Sequence, residues 1–150
     1  MREYILASMP ANAENELRSG DRLSHYQIEK LLGAGGMGEV YLARDTKLDR
    51  EVAIKILNPS VESNTSNIAR FIQEAKAASA LNHPNILVIH EIGEHEGRHF
   101  IVSEYIDGQT LRTALNGKEK PLREILDISI QIAAALGAAH DKNIVHRDIK

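Results

Sequence analysis

A cluster of glycines near residue 35 has the composition of a phosphate-binding turn. The glycines follow the pattern GxGxxGxV, formed by Gly33, Gly35, Gly38 and Val40. Glycine lets a backbone approach phosphate oxygens closely and adopt positive φ where a turn needs it. Lys55 follows at the end of the next apolar stretch, and its ammonium group can supply a point charge. These residue types indicate a site for the phosphates of a nucleotide.

Three kinds of phosphate-binding turn use glycines at such spacings, and the residues that follow them separate the three. A dinucleotide-binding turn needs a helix directly after the glycines, but residues 39–44 alternate like a strand. A P-loop needs Lys and then Ser or Thr after its second glycine, whereas Glu39 and Val40 follow Gly38. The third kind is a glycine-rich hairpin over the phosphates, with a lysine on the next strand and Val40 covering a flat base. An ordinary hairpin turn with spare glycines competes with it at this point.

The composition is that of a globular domain. The 150 residues are 43% hydrophobic and 26% charged, with a net charge of -3. Nucleic-acid binders usually carry a clear excess of Lys and Arg, so no nucleic-acid partner is expected. The absence of cysteine excludes disulfides and thiolate zinc sites within these residues. The apolar run at 128–139 falls short of the ~20 residues of a membrane helix, and we expect a cytoplasmic location.

The periodicity of the first half predicts the elements that position the glycines and Lys55. Residues 1–24 show no sustained apolar period and are expected to be a flexible N-terminal extension. Residues 26–56 alternate at period two, which predicts antiparallel strands with a polar turn at 45–50. The spacing becomes helical over residues 67–81.

The second half adds two strands and then only helices. The strands are predicted over 86–93 and 99–105, joined by a turn at Glu96-Gly97. Helical spacing follows over 110–115 and 122–140. The sequence therefore predicts an α+β fold, with a five-stranded antiparallel sheet and one main helix first and further helices after it.

Three motifs together resemble the protein kinases, in particular the bacterial serine/threonine type. They are the glycine pattern, the lysine of Val52-Ala53-Ile54-Lys55 and the tripeptide His146-Arg147-Asp148, in the order and spacing of that family. The resemblance covers residues 25–150. It implies an N-lobe at 25–103, a hinge at 104–108 and the start of a helical C-lobe at 109–150.

The resemblance also implies an activity and a role for each matching residue. A kinase transfers the γ-phosphoryl group of ATP to a Ser or Thr hydroxyl of a protein substrate. Lys55 would hold the α- and β-phosphates, and Glu74 on the first long helix would hold Lys55 extended. Asp148 would take the proton of the substrate hydroxyl, and Lys150 would contact the transferred phosphoryl group. Without the family context, Glu74 would more simply pair with Arg70, one turn earlier.

Residues 101–108 resemble the hinge between the two kinase lobes, where adenine binds. The match implies that the Glu104 carbonyl and the Ile106 amide face the adenine edge. Ser103 stands at the back of the adenine pocket, where many kinases carry a bulkier side chain, so we expect a deeper pocket that admits ATP analogues enlarged on the adenine. The full set expected to contact ATP is Gly33, Ala34, Gly35, Gly36, Gly38, Val40, Ala53, Lys55, Ser103, Glu104 and Ile106.

The 150 residues match only part of a kinase catalytic domain. The asparagine and the Asp-Phe-Gly segment that hold Mg²⁺ in the family do not follow Asp148 in this sequence. Because Mg²⁺ stabilises the charge on the transferring phosphoryl group, we expect no metal ligands within these residues and little kinase activity from them alone. A catalytically inactive nucleotide-binding or regulatory fragment is the alternative. The apolar face of the last long helix, made of Ile125, Ile128, Ile132 and Leu136, is expected to lack cover and to dock on another protein.

Overall fold

One antiparallel sheet with a helix, followed by two further helices, makes up the fold. The computed structural model describes residues 16–36, 38–58, 61, 65–116 and 119–145. The strands are β1 (Arg22–Leu23), β2 (Tyr26–Gly35), β3 (Gly38–Asp45), β4 (Arg50–Leu57), β5 (Ile89–His95) and β6 (Arg98–Glu104). The helices are α1 (Thr65–Ser79), α2 (Leu111–Leu115) and α3 (Leu122–His140). The predicted α+β arrangement is confirmed.

The sheet has the order β1-β2-β3-β4-β6-β5, which is one strand more than the five predicted. The extra strand is β1, whose two residues are too few to show a period. It pairs with β2 through Leu23 and Tyr26, and Leu23 is only 2% exposed. Leu17 and Leu23 attach residues 16–24 to the sheet, because burying these leucines offsets the cost of ordering the segment. Residues 1–15 lie outside the described part of the chain.

Alternation along the strands sorts the side chains onto two faces of the sheet. Residues paired across neighbouring strands point to the same face. One face, called the core face below, carries a buried cluster made of Leu23, Tyr26, Ile28, Tyr41, Ala43, Val52, Ile54, Ile56, Phe100 and Val102. Burial of each large apolar side chain stabilises the fold by about 1.5–3 kcal/mol. The opposite face, called the site face, carries the intervening residues of β3, β4 and β6. Four of the predicted nucleotide-binding residues lie on it: Val40, Ala53, Lys55 and Ser103.

Asp45 closes the predicted turn between β3 and β4. Its carboxylate accepts the backbone amides of Lys47 and Leu48 at 3.0 and 3.1 Å. Burial by itself raises the pKa of the Asp45 carboxyl, but the two amides and the charges of His25 and Arg50 outweigh burial and hold that pKa below its usual range. The Asp45 side chain therefore stays ionised and keeps β3 and β4 in register.

The helices differ in how well they are covered. Helix α1 lies on the sheet, and its Phe71 and Ala75 are buried. Helix α3 has the predicted bounds, and in its predicted uncovered face Ile125 is 43% exposed while Ile128, Ile132 and Leu136 are half-buried. The largest apolar exposure on α3 lies at Leu122, Leu126 and Ile130. No helix among the described residues combines the length and apolar character needed to cross a bilayer.

Candidate nucleotide-binding site

The glycine pattern forms the turn between β2 and β3, called the glycine hairpin below (residues 33–36 and 38–40). Three residue pairs join its two strands: Gly33–Val40, Ala34–Glu39 and Gly35–Gly38. The chain reverses direction between Gly35 and Gly38 and continues as a strand. A dinucleotide-binding turn and a P-loop both lead into a helix. Neither of them matches this strand–turn–strand structure, whereas the glycine-rich hairpin does.

Gly38 packs so closely on β4 that a side chain does not fit. A Cβ atom at Gly38 would lie 1.9 Å from the carbonyl oxygen of Ile56. The φ angle of Gly38 is +153°, which L side chains rarely adopt. A Cβ at Gly36 would have open space around it instead. The sheet itself therefore requires glycine at 38, whereas Gly36 leaves its surroundings open for a ligand.

Apolar and cationic groups lie next to each other on the site face. Val40 pairs with Lys55 between β3 and β4, and Ala53 pairs with Ser103 between β4 and β6. Ala53 and Ser103 are buried, whereas Val40 and Lys55 are half-buried. The Lys55 ammonium lies 5.7 Å from the centroid of the Phe71 ring on α1. One face thus offers an apolar wall for a base and a cation for a phosphate.

Glu74 does not contact Lys55 in this structure. The salt bridges of the described residues, taken to N···O distances of 4.0 Å, include neither Lys55–Glu74 nor the competing Arg70–Glu74 pair. Glu74 is exposed and lines a surface groove with Arg70 and Phe71. Phe71 and Glu74 stand about 60° apart around the helix axis. The rotation of α1 therefore places the ring, rather than the carboxylate, beside Lys55.

The start of the predicted hinge is held by bonds to the chain before β5. The backbone N–H of Glu104 donates to the Val88 carbonyl at 3.0 Å, and the Val88 N–H donates to the Glu104 carboxylate at 2.8 Å. The Ser103 hydroxyl lies 3.3 Å from the Glu104 carbonyl oxygen and 3.5 Å from that of Ala53. Within the described part of the chain, the Ile106 N–H has no protein acceptor. The hinge thus presents a backbone donor and a carbonyl with a spare lone pair.

The sequence predictions miss one residue beside the hairpin. Leu32 directly precedes Gly33 and is 40% exposed. It lies where the pairing of β2 with β3 shifts register, between Leu31 and Gly33. An exposed leucine at this position adds apolar surface next to the turn. The adjacent pair of leucines, which interrupts the polar alternation of β2, is the signal that could have identified it.

Two predicted catalytic residues cannot be placed. Asp148 and Lys150 lie outside the described residues, together with the rest of residues 146–150. Elsewhere, in 16–36, 38–58, 61, 65–116 and 119–145, no group of three or more His, Cys, Asp or Glu side chains is arranged to hold a metal ion.

The match that decides the family extends over most of the chain. Residues 26–150 match the protein kinase domain family. This chain belongs to the protein kinase family. The chain is 48% identical over 134 residues to the serine/threonine-protein kinase PrkC of Bacillus subtilis, in an alignment that covers 87% of this chain and 20% of PrkC. It is 40% identical over 136 residues to the serine/threonine-protein kinase PknJ of Mycobacterium tuberculosis, which covers 91% of this chain and 23% of PknJ.

A solved structure confirms the kinase-like fold. The kinase domain of PknI from Mycobacterium tuberculosis superposes with a TM-score of 0.77 at 33% identity. The alignment covers 90% of this kinase chain and 55% of the PknI domain. The chain thus spans about half of that domain and about a fifth of the curated relatives PrkC and PknJ.

Proposed function

We propose that this chain forms the ATP-binding part of a serine/threonine protein kinase, which transfers the γ-phosphoryl group of ATP to a Ser or Thr hydroxyl of a protein. The observation that carries the proposal is the register of β3, β4 and β6. It aligns Val40, Lys55, Ala53 and Ser103 on one face, beside the glycine hairpin. Family membership implies the use of ATP with Mg²⁺ in general.

The adenine end of the proposed site combines apolar cover with backbone polarity. Val40 and the exposed Leu32 would pack on the base from the hairpin side, and Ala53 from the sheet. The Ile106 N–H would donate to a ring nitrogen, and the Glu104 carbonyl would accept from the exocyclic amine. Because Glu104 is bonded to Val88 through both its amide and its carboxylate, its carbonyl is held in position before the base arrives, which lowers the entropic cost of binding.

The phosphate end depends on Lys55 and the backbone of the hairpin. Open space at Gly36 lets the hairpin backbone approach phosphate oxygens. Lys55 would place its charge on the α- and β-phosphates. In our proposal α1 rotates by about 60°, the angle between residues three positions apart on a helix, when the nucleotide binds. This rotation exchanges the Phe71 ring for the Glu74 carboxylate beside Lys55.

The transfer step itself is proposed for residues 146–150. Asp148 would accept the proton of the attacking hydroxyl, and Lys150 would contact the transferred group. Mg²⁺ would neutralise the charge of the phosphates, and the proposal assigns none of its ligands to the described residues.

The relatives PrkC and PknJ are named as kinases, so an inactive regulatory fragment is not favoured. A docking partner for α3 and a cytoplasmic location stay predictions.

Replacing Lys55 by methionine tests the proposed site. A charge-assisted bond contributes about 1.5–3 kcal/mol, so Lys55→Met is expected to weaken ATP binding about 10- to 100-fold. Adenosine binding should change little, because adenosine carries no phosphate. Isothermal titration calorimetry with both ligands measures the difference, and Lys47→Met in the exposed β3–β4 turn serves as the control. Unchanged ATP affinity in Lys55→Met, or an equal loss for adenosine, would refute the proposed site.

A further inference from the structure

Residues 16–23 form a strap that pairs with the edge of β2 and reaches the core face through Leu17 and Leu23. The Gly20 N–H donates to the Ile28 carbonyl at 2.9 Å, and the Ile28 N–H donates to the Asp21 carbonyl at 2.8 Å. Leu23 belongs to the buried cluster, and Leu17 packs against that cluster. Backbone bonds and apolar contacts therefore both attach the strap to the sheet.

A chain of hydrogen bonds continues from the strap to the glycine hairpin. The backbone N–H of Leu17 donates to the Tyr41 hydroxyl at 3.2 Å, and that hydroxyl donates to the Glu39 carboxylate. Tyr41 is 1% exposed. Burial, together with the bond to Glu39, raises the pKa of the Tyr41 hydroxyl well above its ordinary value, so the hydroxyl remains a neutral donor. Linked hydrogen bonds in a poorly solvated site strengthen one another.

Glu39 connects this chain of bonds to the nucleotide side of the sheet. It belongs to the hairpin, where it pairs with Ala34 on one side and with Ile56 on the other. Because successive side chains of a strand alternate, Glu39 and Tyr41 point to the core face and Val40 points to the site face. Holding Glu39 on the core face fixes the rotation of β3 at Val40. It also keeps a carboxylate away from the face that would receive negatively charged phosphates.

We infer that the strap positions the glycine hairpin for nucleotide binding, through Leu17, Tyr41 and Glu39. Tyr41 and Glu39 act as positioning residues in this inference, since neither lies on the site face. The effect on nucleotide affinity rests on the function proposed above. The effect on the order of the hairpin does not, because the bonds are present in the chain without a nucleotide.

The test compares two buried tyrosines. Tyr41→Phe keeps the ring and removes the hydroxyl that joins the strap to the hairpin. Tyr26→Phe is the matched control: Tyr26 is 2% exposed in the same cluster and its hydroxyl also donates to a glutamate, but this is Glu91 on β5. Hydrogen–deuterium exchange of the amides of residues 33–40 and the dissociation constant of ATP are measured for the 150-residue chain.

We expect Tyr41→Phe to speed exchange in the hairpin and to weaken ATP binding about fivefold, the equivalent of one ordinary hydrogen bond. Tyr26→Phe should leave both quantities at the wild-type values. Equal hairpin exchange in Tyr41→Phe and wild type, or an equal increase in both tyrosine variants, would overturn the inference. If the wild-type chain does not bind ATP, the proposed function fails, while the exchange comparison still decides the role of the strap.

Two further variants separate positioning from general destabilisation. Deleting residues 1–17 removes the donor and should speed hairpin exchange in the wild-type background. The same deletion should add nothing to hairpin exchange in the Tyr41→Phe background, because the bond chain is already broken there. Glu39→Gln keeps an acceptor for the tyrosine and should restore most of the protection that Glu39→Ala loses. Two results would contradict positioning through these hydrogen bonds. One is that the deletion and Tyr41→Phe speed hairpin exchange additively, and the other is that Glu39→Gln and Glu39→Ala lose equal protection.

Discussion

The two faces of the sheet perform different tasks, and two adjacent residues of β4 show the division. Ile54 is fully buried in the cluster on the core face, with 0% exposure. Lys55, the next residue, is half-buried on the site face, and its ammonium lies beside the Phe71 ring. The first side chain serves stability and the second serves the proposed chemistry. A strand with period two can therefore change its function on one face without changing its core on the other.

The glycine hairpin is where this separation ends. Gly38 packs against the carbonyl of Ile56, which lies in the strand that carries Lys55. Glu39 and Tyr41 point to the core face, while Val40 between them points to the site face. Both faces therefore depend on the same short stretch of β3. Substitutions in this stretch should affect stability and binding together, whereas substitutions in β4 should affect one or the other.

The largest effect is expected at Gly38. Gly38→Ala is expected to lower the free energy of unfolding by about 4 kcal/mol or more, because overpacking and a strained φ each cost about 1–3 kcal/mol. Urea denaturation followed by circular dichroism measures the loss. Gly36→Ala is the matched control, since its Cβ meets open space, and it should stay within about 0.5 kcal/mol of wild type. Similar unfolding curves for the two alanine variants would show that the close contact at Gly38 does not control the hairpin.

A smaller loss of stability, without a loss of binding, is expected at Ile54. Ile54→Ala leaves a cavity in the core face and should cost about 3 kcal/mol, whereas Ile54→Val should cost about 1 kcal/mol. The dissociation constant of ATP, measured well below the unfolding temperature, should remain that of wild type in both variants. A weaker ATP affinity in folded Ile54→Ala would show that the two faces are coupled through β4. It would contradict the separation of stability on the core face from binding on the site face.

Local chemistry made much of the fold predictable from the sequence. Alternation through residues 52–56 predicts β4, and the bounds of α3 agree with its helical spacing. The turn at Glu96 and Gly97 is found where it is predicted, with positive φ at both residues. In these segments the local pattern and the tertiary environment favour the same structure, which makes them predictable. The glycine spacing and the lysine, read together, likewise predict a hairpin device.

Features that depend on distant contacts were not predictable in the same way. β1 forms because Leu23 packs into the buried cluster. A strand of two residues is too short to show an apolar period, so the sequence pattern does not predict it. The bond from Leu17 to Tyr41 joins residues 24 positions apart, and no local pattern encodes it. The family resemblance predicts a Lys55–Glu74 pair, but the packing of Phe71 sets the rotation of α1 and places the Phe71 ring beside Lys55 instead. Sequence therefore predicts which groups are available, and packing decides which of them meet.

The effect expected at Ser103 is smaller than those of Gly38→Ala and Ile54→Ala, and it is specific to one ligand. Ser103 is buried on the site face beside Ala53, so a longer side chain there extends into the proposed adenine pocket. Ser103→Met should weaken binding of an ATP analogue enlarged on the adenine amine by about tenfold, or about 1.4 kcal/mol, while its affinity for ATP itself changes little. Competition titrations with both nucleotides measure the ratio of the two affinities.

Ser103→Ala separates the size of this side chain from its hydroxyl. The alanine removes the bonds to the Ala53 and Glu104 carbonyls and adds no volume, so the enlarged analogue should still bind. If Ser103→Met binds the enlarged analogue as well as ATP, the pocket does not extend behind Ser103. If Ser103→Ala discriminates as strongly as Ser103→Met, the hydroxyl sets the hinge geometry and the size of residue 103 does not. If Ser103→Ala still binds the enlarged analogue and Ser103→Met does not, adenine selectivity depends on the site face alone, since the core face is the same in both variants.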